Sequence, residues 1–471
     1  MSEIFTSWGG ERAKGARAVS LKTLDFSRLT TPALPYGDGR SYGDSCLLSG
    51  GAMIEGRDRN RILAFDGETG LLTAEAGIRL CDIIAFAAPL GWFPAVLPGT
   101  RFVTLGGAIA NDIHGKNHHR RGSFGCHVER LVLERSDKGL LVSSPRENAD
   151  LFAATISGFG LTGVIREATI RLMRVPSTQI TEVTTRFDRL EDYFELAAEA
   201  DERHEYAVAW IDSLATGKSF GRGHLIAGDH AIGGELEGSA RPALATVPLT
   251  PPVSPLIGPG LKAFNELYYR KARPGTSERT VPFDGFFFPL DRIGRWNRLY
   301  GPRGLCQHQC VLPEEAGADG VRALLDAART YKQGSFLTVL KRFGALASPG
   351  LTSFPRPGYT LTLDFPHRGE KTLRLLAELD RITIEAGGAI NPYKHARAAP
   401  ETFAASFPRW RELEAFRDPA LLSDFWRRTV MAGLVENQVM VSKSQKYNSS
   451  QNPAFTLKAD AKLVNSKIPA L

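Results

Sequence analysis

Long apolar runs, basic tracts and paired cysteines are all missing from this sequence. A membrane-spanning helix needs about 20 consecutive apolar residues, and the first residues of the chain also lack the apolar core of a signal peptide. The five cysteines are odd in number and contain no C-x-x-C pair, which argues against a disulfide framework and a zinc ribbon. We therefore expect a cytoplasmic protein, at most peripheral on the inner face of the membrane.

Charge is only weakly unbalanced. The 58 Lys and Arg against 51 Asp and Glu give a net charge of +7, which favours an anionic ligand or surface without choosing one. The strongest basic cluster, 116–121, is too compact for a nucleic-acid footprint, so we expect no nucleic-acid partner. With 471 residues and 43% hydrophobic residues, the chain is typical of a globular protein of two or three domains.

The pattern along the chain changes near residue 180. Glycine-rich turns between short apolar runs give way to helical and strand patterns, among them amphipathic helices at 190–200 and 371–386. Strand periodicity places polar groups on one face of 304–312, 335–343 and 359–365. If these strands are neighbours they form a polar face, which is either the solvent side of an antiparallel sheet or part of a site.

Two further segments are predicted to be irregular. Residues 241–260 are rich in proline and poor in charge, which indicates a loop that is either a connector or a lid over an apolar substrate. Residues 436–471 are rich in Ser, Asn and Lys and have no amphipathic period, so we expect a poorly ordered tail.

The segment 37–44, GDGRSYGD, has three glycines in seven residues. Glycine lets backbone N–H groups approach a ligand closely, and such a loop suits a pyrophosphate. The G-x-x-x-x-G-K-[ST] pattern of a P-loop is absent. From these residues alone, a tight structural turn and an anion site are equally supported.

A second glycine-dense region runs over 97–125, where an extended ligand could lie against the backbone. His114 and His118 are four residues apart, but no H-E-x-x-H glutamate lies between them and Gly115 interrupts a helix, so we expect no metal site. The segment 158–163 satisfies G-x-G-x-x-G literally. A helical pattern precedes it and a strand pattern follows, which is the reverse of the Rossmann order.

Together these motifs resemble the FAD enzymes of the vanillyl-alcohol oxidase type, which have a PCMH-type FAD-binding domain. Within that group the sequence is similar to the decaprenylphosphoryl-β-D-ribose 2-oxidase family, over roughly residues 20–430. The resemblance is carried by the following segments: GDGRSYGD, VLPGTR, GGAIANDIHGKNHH, GSFG, SGFGLTGVI, QHQCVLP, SFLTVLKRFG and LDFP.

The resemblance implies an α+β fold with two domains. The FAD-binding domain would consist of residues 1–177 completed by 389–435, and residues 178–388 would form a substrate domain with an antiparallel sheet. Tyr42 stands where covalent relatives carry a flavin-linking histidine, which implies non-covalent FAD. The cofactor-binding positions implied by the motifs are Gly37, Gly39, Arg40, Ser41, Tyr42, Gly43, Gly99, Thr100, Gly106, Gly107, Ala108, Asp112, Gly115, Asn117, Gly158, Gly163, Ile165 and Lys394.

For the chemistry, the resemblance implies oxidation of the ribose C2 hydroxyl of a polyprenyl-phosphate sugar to a ketone. A separate NAD-dependent short-chain reductase would then complete epimerisation to the arabinose form, for cell-envelope polysaccharide synthesis. Lys394, His114 and Tyr42 are the catalytic candidates, with His114 the first candidate for the proton acceptor because imidazole titrates near neutrality. The implied substrate-binding positions are His114, Lys116, Gln309, Lys341 and Thr362.

One departure concerns the site. Asn391 stands where the resemblance implies a tyrosine near the flavin. Two other functions remain open from the sequence: an FAD-dependent alditol or aldonolactone oxidase, which would share the flavin half, and a non-catalytic protein that binds a phosphorylated glycan.

Overall fold

A computed structural model describes residues 4–394 and 397–432. The tail predicted at 436–471 lies outside these residues. The described part contains strands β1–β19, with these bounds: β1 Arg17–Ser20, β2 Ala33–Tyr36, β3 Ala52–Glu55, β4 Ile62–Asp66, β5 Leu71–Glu75, β6 Trp92–Pro94, β7 Val128–Arg135, β8 Gly139–Ser143, β9 Val164–Arg174, β10 Gln179–Phe187, β11 Tyr206–Ile211, β12 Gly223–His230, β13 Ala245–Thr246, β14 Thr276–Pro282, β15 Ile293–Gly294, β16 Leu305–Leu312, β17 Val339–Phe343, β18 Gly358–Pro366 and β19 Ala389–Ile390.

Helices lie between these strands and after the last of them. Within the described residues none is both long and apolar enough to cross a bilayer. Their bounds are α1 Leu80–Ala87, α2 Leu105–Ala110, α3 His118–Arg121, α4 Ala149–Thr155, α5 Leu190–Arg203, α6 Gly258–Lys271, α7 Phe283–Phe287, α8 Gly317–Thr330, α9 Glu370–Glu385, α10 Pro400–Ser406, α11 Trp410–Phe416 and α12 Asp424–Trp426.

Within the described residues the strands form two large antiparallel sheets and two smaller parallel ones, of which β13 and β15 make the smallest, so the fold is α+β. Strands β1, β3 and β2 make a three-stranded parallel sheet, and β4-β5-β9-β7-β8, with β6 beside β9, make a six-stranded antiparallel sheet. The other large sheet has eight antiparallel strands in the order β14-β10-β12-β11-β17-β18-β16-β19. Its last strand, β19, comes from the C-terminal part of the chain and pairs with β16 through Cys310 and Ile390.

Each large layer has its own hydrophobic core. Helices α5, α8 and α9 cover one face of the eight-stranded sheet, and their buried Leu and Ala side chains pack on it. The predicted stripe of α9 is present, because Leu375, Leu376 and Leu379 are fully buried. Helices α10–α12 pack against the three-stranded sheet, with Trp426 and Phe425 at the centre. On the other face, α6 and α7 contact β11 through Tyr268 and Phe287, and the part formed by β16–β18 faces the glycine-rich loops.

The three strands predicted to carry a polar face are neighbours, in the order β17-β18-β16. The strand predicted over 335–343 is shorter, because regular pairing begins only at Val339. Just before it, Ser335 bonds instead to Ser213, whose hydroxyl donates to the Ser335 carbonyl. The polar face does not lie in water: Gln307, Gln309 and Asp364 are almost completely buried.

Two loops predicted from the sequence are present in the structure. The proline-rich segment 241–260 is irregular except for the two-residue β13 and the first residues of α6. The G-x-G-x-x-G segment lies between α4 and β9, which is the predicted helix-to-strand order. The N–H of the preceding Ser157 donates to the Ile109 carbonyl and that of Phe159 donates to the Ala110 carbonyl, so this turn packs on the end of α2.

Candidate functional site

A long cavity of about 450 Å³ runs between the glycine-rich loops and the face of the eight-stranded sheet opposite α5, α8 and α9. At one end it is lined by the loop 37–42 and by 97–107. At the other end it is lined by side chains of β16, β17 and β18, together with Asn391 and Lys394. This size is typical of a small-molecule site.

The loop 37–42 presents its backbone to the cavity. Gly39 has φ +60°, and a Cβ there would collide with the Tyr36 hydroxyl and the Thr6 carbonyl. A Cβ on Gly37 would lie 2.5 Å from Thr104 Oγ1, so both positions need glycine. Among the hydrogen bonds of the described residues, none is donated by the backbone N–H groups of Asp38, Gly39 or Arg40. These donors are available to an anion.

Three arginines surround a single carboxylate beside this loop. Asp38 accepts from Arg79 Nε at 2.6 Å, and its carboxylate lies 3.4 Å from Arg57 Nε and 4.0 Å from Arg40 Nη2. Arg57 and Arg79 offset the charge of Asp38. Arg40 is the one of the three that lines the cavity, where Asp291 also lies. The Arg40 guanidinium stacks on Trp8 at 4.8 Å, and its buried Nε has no hydrogen-bond partner among the described residues.

The second glycine region supplies the facing wall. Thr104 caps α2 by accepting from the Gly107 N–H at 3.2 Å, and a Cβ on Gly106 would lie 3.1 Å from that of Ala76. A Cβ on Gly115 would lie 2.9 Å from the Leu97 carbonyl. Gly99 has open space before it. The free N–H donors, the guanidinium of Arg40 and the glycine cradle fit the diphosphate of FAD.

At the other end, the polar strand face meets the loop that carries His114. His114 Nε2 is 3.0 Å from Gln309 Nε2, and its Nδ1 is 3.2 Å from Lys341 Nζ. The ring contacts Phe343 at a centroid distance of 4.8 Å. Burial holds the pKa of His114 well below its usual value, so the imidazole is neutral at pH 7.

Lys394 lies beside a buried acidic group. Its ammonium sits 4.6 Å from the ring centroid of Tyr42, and burial lowers its pKa to about 8 although the nearby Asp364 opposes that shift. Burial raises the pKa of Asp364 to about 7, while hydrogen bonds from Gln307 and Tyr300 and the charge of Lys394 act against it. Because both pKa values lie close to neutral, a small change in pH or in either pKa changes the net charge of the Lys394 and Asp364 pair.

Lys116 is the third lysine of the cavity. Its ammonium donates to the carbonyl of Phe286 and lies 4.2 Å from the centroid of that ring. Burial lowers its pKa to about 8. Three lysines, Lys116, Lys341 and Lys394, line this one cavity, and those that are protonated attract an anionic substrate group.

Most of the site residues expected from the sequence line this cavity. They are Gly37, Gly39, Arg40, Ser41, Tyr42, Gly99, Thr100, Gly106, Gly107, Asp112, His114, Gly115, Lys116, Gly163, Ile165, Gln309, Lys341, Thr362 and Lys394. Both carboxylate oxygens of Asp112 are already used: one accepts from the Gly125 N–H at 2.7 Å, and the other from Ser348 and Ser353. Asp112 therefore connects the loop after α2 to the segments that contain Gly125 and Ser348.

Four expected cofactor residues are not part of the lining. Ala108 is fully buried in the core under α2. The Asn117 amide faces away and donates to the Ala95 carbonyl at 2.8 Å. The N–H of Gly158 closes a turn onto Thr155, and Gly43 precedes a short 3-10 turn. These four residues lie next to lining residues in the chain but do not line the cavity themselves.

Three residues at the site, Asp364, Gln307 and Asp291, are not among the site residues expected from the sequence. Asp364 and Gln307 belong to the polar rows already noted in their strands, so a signal existed. Asp291 gave none: it follows a phenylalanine-rich segment, yet its carboxylate accepts from the Arg101 N–H at 2.9 Å and from Thr100 at 3.2 Å. Asp291 thereby fixes the loop that contains Gly99.

Comparison with known proteins gives one domain match. A family described as FAD binding domain matches residues 23–142. This segment contains the glycine loop, the three arginines and helix α2.

Relatives extend the match to most of the chain. A decaprenylphosphoryl-β-D-ribose oxidase of Mycolicibacterium smegmatis is 36% identical over 410 residues, which cover 83% of this chain and 88% of the relative. An uncharacterised protein of Streptomyces coelicolor is 34% identical, over 74% of this chain and 98% of that protein. An L-gulonolactone oxidase of Mus musculus is 32% identical, but over only 31% of this chain and 33% of the relative.

Proposed function

This chain belongs to the decaprenylphosphoryl-β-D-ribose oxidase family, and from that premise we propose that it oxidises the C2 hydroxyl of a polyprenylphosphoryl-β-D-ribose to the 2-keto sugar. It is an FAD-dependent oxidoreductase. The observation that carries the proposal is the continuity of the cavity, which joins an anion-binding glycine loop to a cluster of lysines, histidine and amides.

The residues that would hold FAD lie at the glycine-rich end. Arg40 and the free N–H groups of 38–40 would bind the diphosphate, with Arg57 and Arg79 offsetting the charge of Asp38. When bound, FAD supplies the acceptor for the two electrons that leave the sugar carbon as a hydride. Tyr42 cannot form the usual histidyl link to flavin, so we propose that the cofactor is held non-covalently.

The residues that would hold the substrate lie at the other end. Lys116 would provide a cation for the phosphate, and Lys341, His114, Gln309 and Thr362 would provide hydrogen-bonding groups for the sugar. Tyr42 and Lys394 lie beside each other in the same cavity. As a cation close to the reacting centre, Lys394 would stabilise negative charge that develops as the cofactor is reduced.

The chain division expected from the sequence is kept as a proposal. Residues 1–177 with 389–435 would form the FAD domain, and 178–388 the substrate domain. In support, the strands of the eight-stranded sheet from β10 to β18 all fall within 178–388, whereas β19 comes from the later segment.

A peripheral membrane position and a separate NAD-dependent reductase complete the proposal. A polyprenyl substrate resides in a bilayer, and the irregular segment before α6 exposes Leu244, Leu249 and Val253, with Leu267 exposed on α6 itself. Exposed apolar side chains of this kind support contact with a lipid surface. The reductase would return the 2-keto sugar to an alcohol of opposite configuration.

The test is an anaerobic titration of the yellow holoenzyme. We expect the flavin absorption to bleach on addition of a polyprenylphosphoryl-β-D-ribose, and to remain on addition of xylitol or an aldonolactone. Bleaching by the alditol or the lactone instead would favour the alternative oxidase activity, which shares the FAD half with the L-gulonolactone oxidase. Protein that stays colourless after incubation with FAD would contradict the cofactor itself.

A further inference from the structure

We propose that Lys341, held as a neutral amine by a chain of hydrogen bonds that starts at the backbone N–H of Tyr393, accepts the proton of the substrate hydroxyl. The inference rests on the proposed oxidation of a sugar alcohol. Lys341 thereby takes the role of proton acceptor for which His114 was the first candidate from the sequence.

The chain of hydrogen bonds begins at a group that can only donate. The Tyr393 N–H donates to Asn391 Oδ1 at 3.1 Å, so the other end of that amide is Nδ2. Asn391 Nδ2 in turn donates to Gln309 Oε1 at 2.9 Å. A reversed Asn391 amide would place two donors against each other at Tyr393, and this fixes the orientation of both amides.

Gln309 passes this orientation to His114. Because its oxygen accepts from Asn391, its Nε2 carries two hydrogens. One is donated to Thr360 Oγ1 at 3.1 Å, and the other points to His114 Nε2 at 3.0 Å. That ring nitrogen must accept, so it has no proton. A neutral imidazole carries one proton, which therefore lies on Nδ1.

Nδ1–H faces Lys341 Nζ at 3.2 Å. An ammonium has three donors and no acceptor, so only the neutral amine can receive this hydrogen bond. A second contact is compatible with an amine, which can donate to the Gly115 carbonyl at 3.4 Å. His114 itself has no free lone pair: Gln309 occupies Nε2, and Nδ1 holds the proton. His114 is therefore a positioning residue, and Lys341 is the base.

The electrostatic surroundings agree with this assignment. Burial and the positive charges of Lys394 and Lys116 lower the pKa of Lys341 to about 7. No ion pair within the described part of the chain includes Lys341. The titratable groups around Lys341 are His114, His118, Lys116, Lys394 and, beyond Lys394, Asp364.

The reaction balances with FAD as the oxidant. The O–H bond of the sugar breaks, its proton bonds to Lys341 Nζ, and its electron pair becomes the second bond of the ketone. The C–H pair leaves the same carbon as a hydride for oxidised FAD. Lys341 ends as an ammonium and later loses the proton to water. Without substrate, the lone pair of Lys341 Nζ accepts from the imidazole N–H of His114. After rotation about the Cε–Nζ bond, the same lone pair accepts from the substrate hydroxyl.

Asn391 is the residue that sets the direction of the relay. Asn391 stands where the family resemblance implies a tyrosine, and a tyrosine hydroxyl could rotate and would not fix the amide of Gln309 in the same way. The pH at which the enzyme becomes active should therefore depend on Asn391.

The first experiment measures the rate of flavin reduction by a short-chain polyprenylphosphoryl-β-D-ribose under anaerobic conditions between pH 5.5 and 9. In the unaltered protein we expect the rate to rise with pH through about 7, since the base is active when deprotonated. Lys341→Met and Lys341→Arg should retain FAD but lose about 10²- to 10⁴-fold of the rate at pH 8, together with the rise near pH 7. Lys371→Met, on the exposed face of α9, is the matched control and should behave as the unaltered protein.

The arginine variant separates a base from a binding group. Arginine keeps the positive charge but does not deprotonate, so a role in phosphate binding alone would leave Lys341→Arg largely active. That result would overturn the proposal, as would a rise near pH 7 that persists in Lys341→Met. Asn391→Asp reverses the Gln309 amide and lets Nδ1 accept from an ammonium, so the rise should move to higher pH. An unmoved rise would contradict the relay.

The second experiment needs no substrate, and its observation is made on the unaltered protein. Nitrogen NMR of ¹⁵N-histidine holoenzyme should show His114 protonated at Nδ1 and bare at Nε2, with the signals assigned by their loss in His114→Gln. A proton on Nε2 would overturn the proposal. If no polyprenylphosphoryl ribose reduces the unaltered enzyme at any pH, the proposed function fails, and this tautomer still decides on the relay.

Discussion

Replacement of Arg40 by methionine should weaken FAD binding without unfolding the glycine loop. Methionine is unbranched and can keep the apolar contact with Trp8 and Phe102 that the guanidinium makes at 4.8 and 5.1 Å. It removes the positive charge and the unpartnered Nε donor. Arg57 and Arg79 would still neutralise Asp38, so the loop should lose an anion contact and little else.

The expected size follows from the geometry. The Arg40 side chain is 25% exposed and already stacked, so little further ordering is needed when a phosphate binds. A hydrogen bond to a charged group contributes about 1.5–3 kcal/mol, which corresponds to an affinity loss of about 10- to 150-fold for one such bond. Arg40→Lys keeps the positive charge but loses the planar guanidinium, so its affinity for FAD should lie between those of the unaltered protein and Arg40→Met.

The assay is a titration of apoprotein with FAD, followed by the quenching of flavin fluorescence. Arg130→Met, an exposed arginine in β7, is the control and should bind FAD as the unaltered protein does. If Arg40→Met binds FAD within about twofold of the control, the diphosphate does not contact this loop. An equal loss in both variants would mean that the effect is one of overall charge.

Three further outcomes are expected. Asp112→Ala should lower the thermal midpoint well below that of Asp112→Asn, since alanine leaves the Gly125 N–H without its acceptor and leaves Ser348 and Ser353 only each other as hydroxyl partners. The cost is about 1–3 kcal/mol for each buried group left unpaired, and equal midpoints would contradict this. Lys394→Ala should lose most of its flavin or reduce it far more slowly, and a yellow variant with normal turnover would refute that role. Acid precipitation should release the flavin into the supernatant, and a yellow pellet would mean a covalent link.

The sequence predicts the elements around the site well where the pattern is local. The amphipathic stripe of α9 and the alternation in β16 and β18 are properties of a few consecutive side chains, and the strands lie within one residue of the predicted bounds 304–312 and 359–365. The start of β17 was predicted too early, because a long-range hydrogen bond between Ser213 and Ser335 diverts the backbone. No local pattern contains that contact.

Burial and pairing of charges are harder to predict. The polar face of β16 and β18 was visible in the sequence, but whether it faces water or a cavity depends on loops from the first third of the chain. Asp291 lies 190 residues from the Arg101 N–H that it accepts, and nothing near it in sequence indicates this. The Gln309, Asn391 and His114 relay likewise joins three distant segments, so its protonation pattern is a consequence of the tertiary structure.

The position of β19 has a consequence for how the enzyme is made. Ile390 pairs with Cys310, and the residues that directly follow, Asn391 and Lys394, complete the cavity wall. During synthesis on the ribosome, a nascent chain that ends before this strand possesses the whole glycine cradle but lacks the lysine beside Tyr42. Cofactor captured at that time would meet an unfinished pocket, so maturation to a working enzyme must wait for release of the C-terminal segment from the exit tunnel.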